Sequence, residues 1–141
     1  MQHSFYIYTS SKYCKDLFPQ NFNGEHNVKL SQPVHLEGKW SCGLVDYIHS
    51  AKPQHPIYVC CNLLSDLNTG EHTIPILRQV DLKTSSFENV LYVPVKQQDF
   101  DVVQVYVRTL ENRPLPRSRG INRGDSSALL HFRRQDDDDD R

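Results

Sequence analysis

Between Phe100 and Thr109 the side chains change character at every second residue. Val103, Val105 and Val107 fall on one side of an extended chain, and Gln104, Tyr106 and Arg108 fall on the other. A period of two marks a β-strand with one buried face, because successive side chains point to opposite sides of a sheet. A helix would scatter the same valines around its circumference. Such a strand cannot stand alone, since its backbone N–H and C=O groups need partners. The remainder of the chain must supply a sheet.

It does so in short segments rich in Val, Ile, Tyr and Phe, separated by Gly, Pro, Asn, Asp and Ser clusters. Ser4 to Thr9 places Phe5 and Ile7 on one face. A second strand runs from about Asn27 to Leu30, after which Pro33 predicts an extended or turning backbone and Gly38 closes the turn before the next strand. From Trp40 to Ile48, Trp40, Cys42 and Leu44 lie on one side, with Val45 and Tyr47 on the other. Ile57 to Leu63 carries Ile57, Val59, Cys61 and Leu63 inward. The segment Thr73 to Arg78 contains Pro75, which removes a ladder donor and predicts an edge or a broken strand. Phe87 to Val93 leads into Pro94, and Ala128 to Arg134 turns Ala128, Leu130 and Phe132 inward. The stretches Ser50 to Pro56 and Asp66 to Glu71 are loops.

About eight strands with almost no helical periodicity predict an all-β fold: a single eight-stranded antiparallel jelly roll, a two-sheet sandwich, over residues 1–134. An eight-stranded barrel of the lipocalin type has a similar count. Its strands would be joined mostly by short hairpins, whereas several connections here are long, as crossing between two sheets requires. Residues 135–141 read as an acidic, solvated tail.

The chemistry of the chain narrows its function by subtraction. Across 141 residues the formal net charge is −1, which argues against a dedicated nucleic-acid binder. The balance conceals an asymmetry: Arg113, Arg117, Arg119, Arg123, Arg133 and Arg134 crowd the last third, and Asp136 to Asp140 offset them. No apolar stretch approaches bilayer-spanning length. Met1-Gln2-His3-Ser4-Phe5 lacks the basic flank and apolar core of a signal peptide, so a reducing compartment and no membrane insertion are expected. Cys14, Cys42, Cys60 and Cys61 have no Cys-x-x-Cys spacing, and adjacent Cys60 and Cys61 should face opposite ways, so they read as buried free thiols. The seven histidines are scattered without a His-x-His pair, against a cupin-like metal site. With no Gly-rich phosphate loop, Gly-x-Ser-x-Gly or defensible Cys–His pair, the reading is non-enzymatic and without cofactor. Trp40 reads as core.

The order of segments is itself informative. Pro33, Leu36, Gly38, Trp40, Gly43 and Leu44 form a Pro-x-x-Leu-x-Gly-x-Trp-x-x-Gly-Leu element. Downstream follow Ile57 to Leu63, Ile74 to Arg78, Leu91 to Val95, Asp99 to Arg108 and Leu129 to Arg134. From about Phe5 to Arg134 this series resembles the penton, or minor capsid, protein of Polinton (Maverick) elements and the related adintoviruses. The resemblance implies a single jelly roll, similar in role to an adenovirus penton base, that forms a homopentamer at the fivefold vertices of an icosahedral shell. It implies a double jelly-roll major capsid protein as partner, a place in the virion, and assembly in the host cell nucleus. The sequence departs from that pattern in a long basic segment between Asn112 and Ala128, in the acidic tail, and in an N-terminus that starts almost in the first strand.

Arg123-Gly124-Asp125 lies in that basic segment. Its functional reading is receptor attachment, with an integrin-like receptor or a fibre as the partner of an exposed loop; its plain reading is a tight turn between solvated charges. Tyr47, Tyr58 and Tyr106 are candidate assembly contacts. The rival function is a jelly-roll carbohydrate-binding or attachment module, which exposed aromatic residues clustered on one sheet would favour.

Overall fold

The computed structural model describes residues 3–14, 16–19, 21, 24–49, 56–81, 87, 89–114 and 126–135. Their ten strands, in chain order, are β1 (Ser4–Ser10), β2 (Glu25–His35), β3 (Trp40–His49), β4 (Ile57–Cys61), β5 (Leu67–Asn68), β6 (Thr73–Ile74), β7 (Ile76–Val80), β8 (Tyr92–Pro94), β9 (Asp99–Thr109) and β10 (Ser126–Arg134). No helix occurs among the described residues. Two four-stranded antiparallel sheets form a sandwich, the first ordered β1-β10-β3-β8 and the second β2-β9-β4-β7, with β5 and β6 as a separate ribbon. The all-β, antiparallel sandwich expected from the sequence is what the chain forms.

The inward faces follow the alternation. Val103, Val105 and Val107 of β9 are fully buried, as are Val59 and Cys61 of β4 and Leu130 and Phe132 of β10. Phe132 stacks on Phe5 at 5.0 Å and on Phe100 at 6.0 Å, which ties β1 and β10 of the first sheet to β9 of the second. Trp40 joins the same cluster through Phe5 at 5.5 Å, and its indole N–H donates to the Glu37 carbonyl. Each large apolar side chain so buried stabilises the fold by about 1.5–3 kcal/mol. Cys61 lies in this main core. Its neighbour Cys60 lies on the opposite face with Ile74 and Ile76, in the divergent arrangement expected of adjacent strand residues.

Pro75 acts as predicted: it separates β6 from β7, and β7 is an edge strand. Three expectations fail. The second strand does not end near Leu30 but continues, extended through Pro33, to His35. β2 is a sheet edge, and its pairing with β9 is interrupted between Lys29 and Val34, so Pro33 breaks no ladder bond there. Of the described residues from Phe87 to Val93, only Tyr92 and Val93 are strand, in β8, which pairs with β3. The earlier residues of that segment lead from β7 in the second sheet to β8 in the first. There Arg78 lies 3.9 Å over the Phe87 ring and donates to the Asn89 carbonyl.

The third failure concerns the face of Tyr47. Leu130 pairs with Leu44 but Leu129 pairs with Asp46, so Val45 is an extra, unpaired residue in β3. A bulge of this kind shifts the alternation by one. Tyr47 therefore points into the core beside Ala128, on the same side as Cys42 and Leu44. Deleting Val45 should remove only the extra residue, leaving Leu44, Asp46 and Tyr47 paired in unbroken register with Leu130, Leu129 and Ala128 and Tyr47 still inward, so the urea midpoint should change little. A loss on the order of 3 kcal/mol, the scale of emptying an aromatic site, would contradict the bulge.

Candidate functional site

Tyr47 is 3% exposed, and its hydroxyl hydrogen-bonds His49 Nδ1 at 2.7 Å. It has no free ring face to offer another subunit, so the expectation that it is an assembly contact is corrected. Tyr58 and Tyr106 do face outward, on the second sheet, where they are half-buried against Cys60, Ile74 and Ile76 under the β5–β6 ribbon. The Arg108 guanidinium sits 4.4 Å over the Tyr106 ring. Burial pushes both the Tyr106 hydroxyl and the Cys60 thiol up to about 12. Neither is a nucleophile at neutral pH. Arg123, Gly124 and Asp125 lie outside the described residues, as do Arg117, Arg119 and Asp136 to Asp140.

Sequence reasoning missed the outer face of the first sheet. Cross-strand register sets Tyr6, His131, Gly43 and Tyr92 in one row and Tyr8, Leu129 and Asp46 in the next. Tyr6 and Tyr8 are 61% and 52% exposed. Tyr6 stacks on His131 at 4.5 Å, Tyr92 hydrogen-bonds His131 Nδ1 at 2.7 Å, and Arg133 lies 3.6 Å over the Tyr92 ring. Exposed Tyr13 meets Tyr8 edge-on at 6.2 Å. Gly43 permits the row to close: a Cβ there would collide with the Val90 side chain and lie 3.0 Å from the Leu91 carbonyl. The alternation of Tyr6 and Tyr8 with Phe5 and Ile7 was readable in the sequence. That Tyr92 and His131 join them depends on pairings between strands far apart in the chain.

A pocket of about 470 Å³ opens at one end of the sandwich, walled by Phe5, Val34, Leu36 and Trp40 and rimmed by His35, Glu37 and Arg134. On that rim His35 hydrogen-bonds Asp99, which together with the charges of Asp99 and Glu37 raises the imidazole pKa.

Elsewhere the sandwich buries polar groups. His26 is fully buried, with Nδ1 3.0 Å from the Thr9 hydroxyl and Nε2 2.8 Å from the Ser126 hydroxyl. The Ser126 amide donates to the Ser11 hydroxyl, and the Tyr47 hydroxyl bonds the Ser126 side chain. Ser126 beside an imidazole has the composition of a nucleophile–base pair. Thr9, however, occupies the place of an orienting carboxylate, and all three side chains are buried away from any substrate. The network bridges β1 and β10 of one sheet to β2 of the other, and that bridging is what its geometry can do. Among the described residues no group of three or more His, Cys, Asp or Glu side chains converges to hold a metal ion.

No protein-family model matches the chain, and no curated protein matches it.

Burial lowers the His49 pKa from 6.5 to about 4. A depressed histidine means that the fold favours the neutral imidazole. Its contribution is complete above the unfolded pKa near 6.5 and is lost as pH falls from there toward 4. The loss is up to about 3 kcal/mol. Urea midpoints measured across that window should fall, and His49→Gln should flatten the slope. A slope unchanged in the variant would contradict the assignment.

Proposed function

We propose that this chain is a structural capsid subunit: a single jelly roll that forms a cyclic homopentamer at icosahedral vertices, beside a double jelly-roll major capsid protein. The observation that carries this reading is the nesting of its strand pairs. With the β5–β6 ribbon set aside, the first strand pairs with the last, the second with the seventh, the third with the sixth and the fourth with the fifth. Rolling a single long hairpin into two facing sheets would produce this order, which supports the jelly-roll reading. Most residues of the ordered segments that resemble Polinton and adintovirus pentons lie on these strands.

Assembly needs no chemical step. The aromatic outer face of the first sheet and the half-buried Tyr58 and Tyr106 of the second lie on opposite sides of the sandwich. A contact between unlike surfaces is head-to-tail, and head-to-tail contacts close into a ring when the rotation between copies is one fifth of a turn. A stable ring needs about 1,000 Å² or more per interface, and the first sheet supplies its apolar part with Tyr6, Tyr8, Ile48, Leu91 and Tyr92. The reading places the protein in the virion, after assembly in the host nucleus.

The exposed tyrosines of β1 favour a second reading, a glycan-binding module, because flat rings on one sheet can stack against sugar faces. A glycan array with signal lost on Tyr6→Ala and Tyr8→Ala would favour it, and a silent array would remove it.

The ring is tested by mass in solution with negative-stain images. Five copies per particle are expected, and Ile48→Asp, which introduces a charge on the outer face of the first sheet, should reduce the particle to monomer. A wild-type chain that stays monomeric at tens of micromolar would overturn the assembly.

A further inference from the structure

At one end of the sandwich the polar side chains of His49, Tyr47, Ser126, His26 and Thr9 form a continuous line. His49 is half-buried, and its Nδ1 lies 2.7 Å from the Tyr47 hydroxyl. Tyr47 bonds the Ser126 side chain, Ser126 Oγ lies 2.8 Å from His26 Nε2, and His26 Nδ1 lies 3.0 Å from the Thr9 hydroxyl. Every member beyond His49 is buried. The line starts in the first sheet, passes through His26 of the second and returns to the first at Thr9.

Counting protons fixes its direction. A hydroxyl has one proton, and a neutral imidazole carries one on either nitrogen. Both nitrogens of fully buried His26 face neutral hydroxyls, which favours the uncharged ring. Tyr47, Ser126 and His26 each therefore donate to one neighbour and accept from the other, so all the bonds run the same way. Toward His49, Thr9 donates to His26 Nδ1, His26 Nε2–H to Ser126, Ser126 to Tyr47, and Tyr47 to His49 Nδ1. This direction sets the most acidic hydroxyl, the phenol, on an imidazole nitrogen and gives the buried Thr9 proton an acceptor. It is the direction of the neutral state. An imidazolium at His49 has an N–H at both nitrogens and accepts nothing. The direction must then reverse.

We propose that this line is an acid-sensing relay: a proton taken up by His49 reverses every hydrogen bond in it and moves the proton of buried His26 from Nε2 to Nδ1. His49 gains an Nδ1–H bond at the expense of one solvent proton. In His26 the Nε2–H bond breaks and an Nδ1–H bond forms, while Tyr47, Ser126 and Thr9 keep one proton each. Acidity outside is thereby written into the bonding between β10 and β2.

The surroundings leave the response to these groups. Thr9 of β1 and Ser11 just beyond it meet the line with Ser126 of β10, and Val105 of β9 pairs with His26. The charged sequence neighbours Glu25 and Asp46 lie on the outer faces of their strands, opposite Tyr106 and Leu129. β7 also packs on β3, but its Arg78 is engaged by Phe87 and Asn89, and Asp81 beyond its end is exposed. Among the described residues burial alone lowers the His49 pKa, so the relay rests in its neutral direction at pH 7 and switches in acid. The inference concerns the interior of one subunit and stands whether or not the ring forms.

Long-range proton–nitrogen correlation spectra of the full chain, labelled with 15N in histidine, read each tautomer directly. At neutral pH His26 and His49 should both carry their proton on Nε2. On acidification the His26 Nδ1 resonance should shift from the unprotonated to the protonated range with the midpoint of His49. Tyr47→Phe, which removes one link, should abolish that dependence. His49→Lys, whose ammonium can only donate, should move the His26 proton to Nδ1 already at neutral pH. The tautomers of the unaltered chain decide the direction even where a variant fails to fold. His26 protonated on Nδ1 at neutral pH, or a His26 tautomer that stays fixed while His49 ionises, would overturn the relay. So would a dependence that survives Tyr47→Phe.

Discussion

Phe132 holds the two sheets against each other. It is fully buried, lies nearly parallel to Phe5 with 4° between the rings, and reaches Phe100 on the opposing sheet. The strand that carries it, β10, is the last in the sequence yet lies inside the first sheet between β1 and β3. The first sheet cannot form until the end of the chain has returned to its beginning. Loop-closure entropy must be overcome before such distant contacts contribute, so slow, cooperative folding is expected of this topology. The buried bridge from Thr9 through His26 to Ser126 secures the opposite end of β10 to β1 and β2. One strand is thus fixed to both sheets, by aromatic packing near its end and by hydrogen bonds at its start.

Where burial and alternation coincided, the sequence was legible. The valines of β9, the inward residues of β4 and the Ala128, Leu130 and Phe132 set of β10 needed only the period of two. Pro75 announced a broken edge for the simple reason that it lacks an amide proton. The phase of β3 after Leu44 was not legible, because a bulge leaves no local trace: Val45 is an ordinary strand residue whose extra status exists only relative to β10. The passage of β2 through Pro33, where the sequence allows an extended or a turning backbone, was only half legible for a related reason. A proline excludes central strands, and nothing local revealed that this strand is an edge.

The surfaces were less legible than the core. Tyr47, Tyr58 and Tyr106 looked alike in sequence, yet one is inside the core and two lie half-covered beneath a ribbon. The Tyr6, His131 and Tyr92 row could not be seen without register, since its members come from three strands that pair over long separations. His26 and Ser126 are separated by 100 residues and meet only because β2 and β10 lie at the same end of facing sheets. What the chain presents outward is an aromatic face and an apolar pocket, resting on a core whose polar groups are turned toward one another.

The account stands on the register of β10 against β3, since that register fixes the faces of the first sheet. Cross-strand nuclear Overhauser contacts on the labelled protein measure it directly. The structure requires contacts joining Leu130 to Leu44 and Ala128 to Tyr47, with Val45 unpaired between them. Contacts joining Leu129 to Val45 and Ala128 to Asp46, the pattern of an uninterrupted ladder, would contradict it.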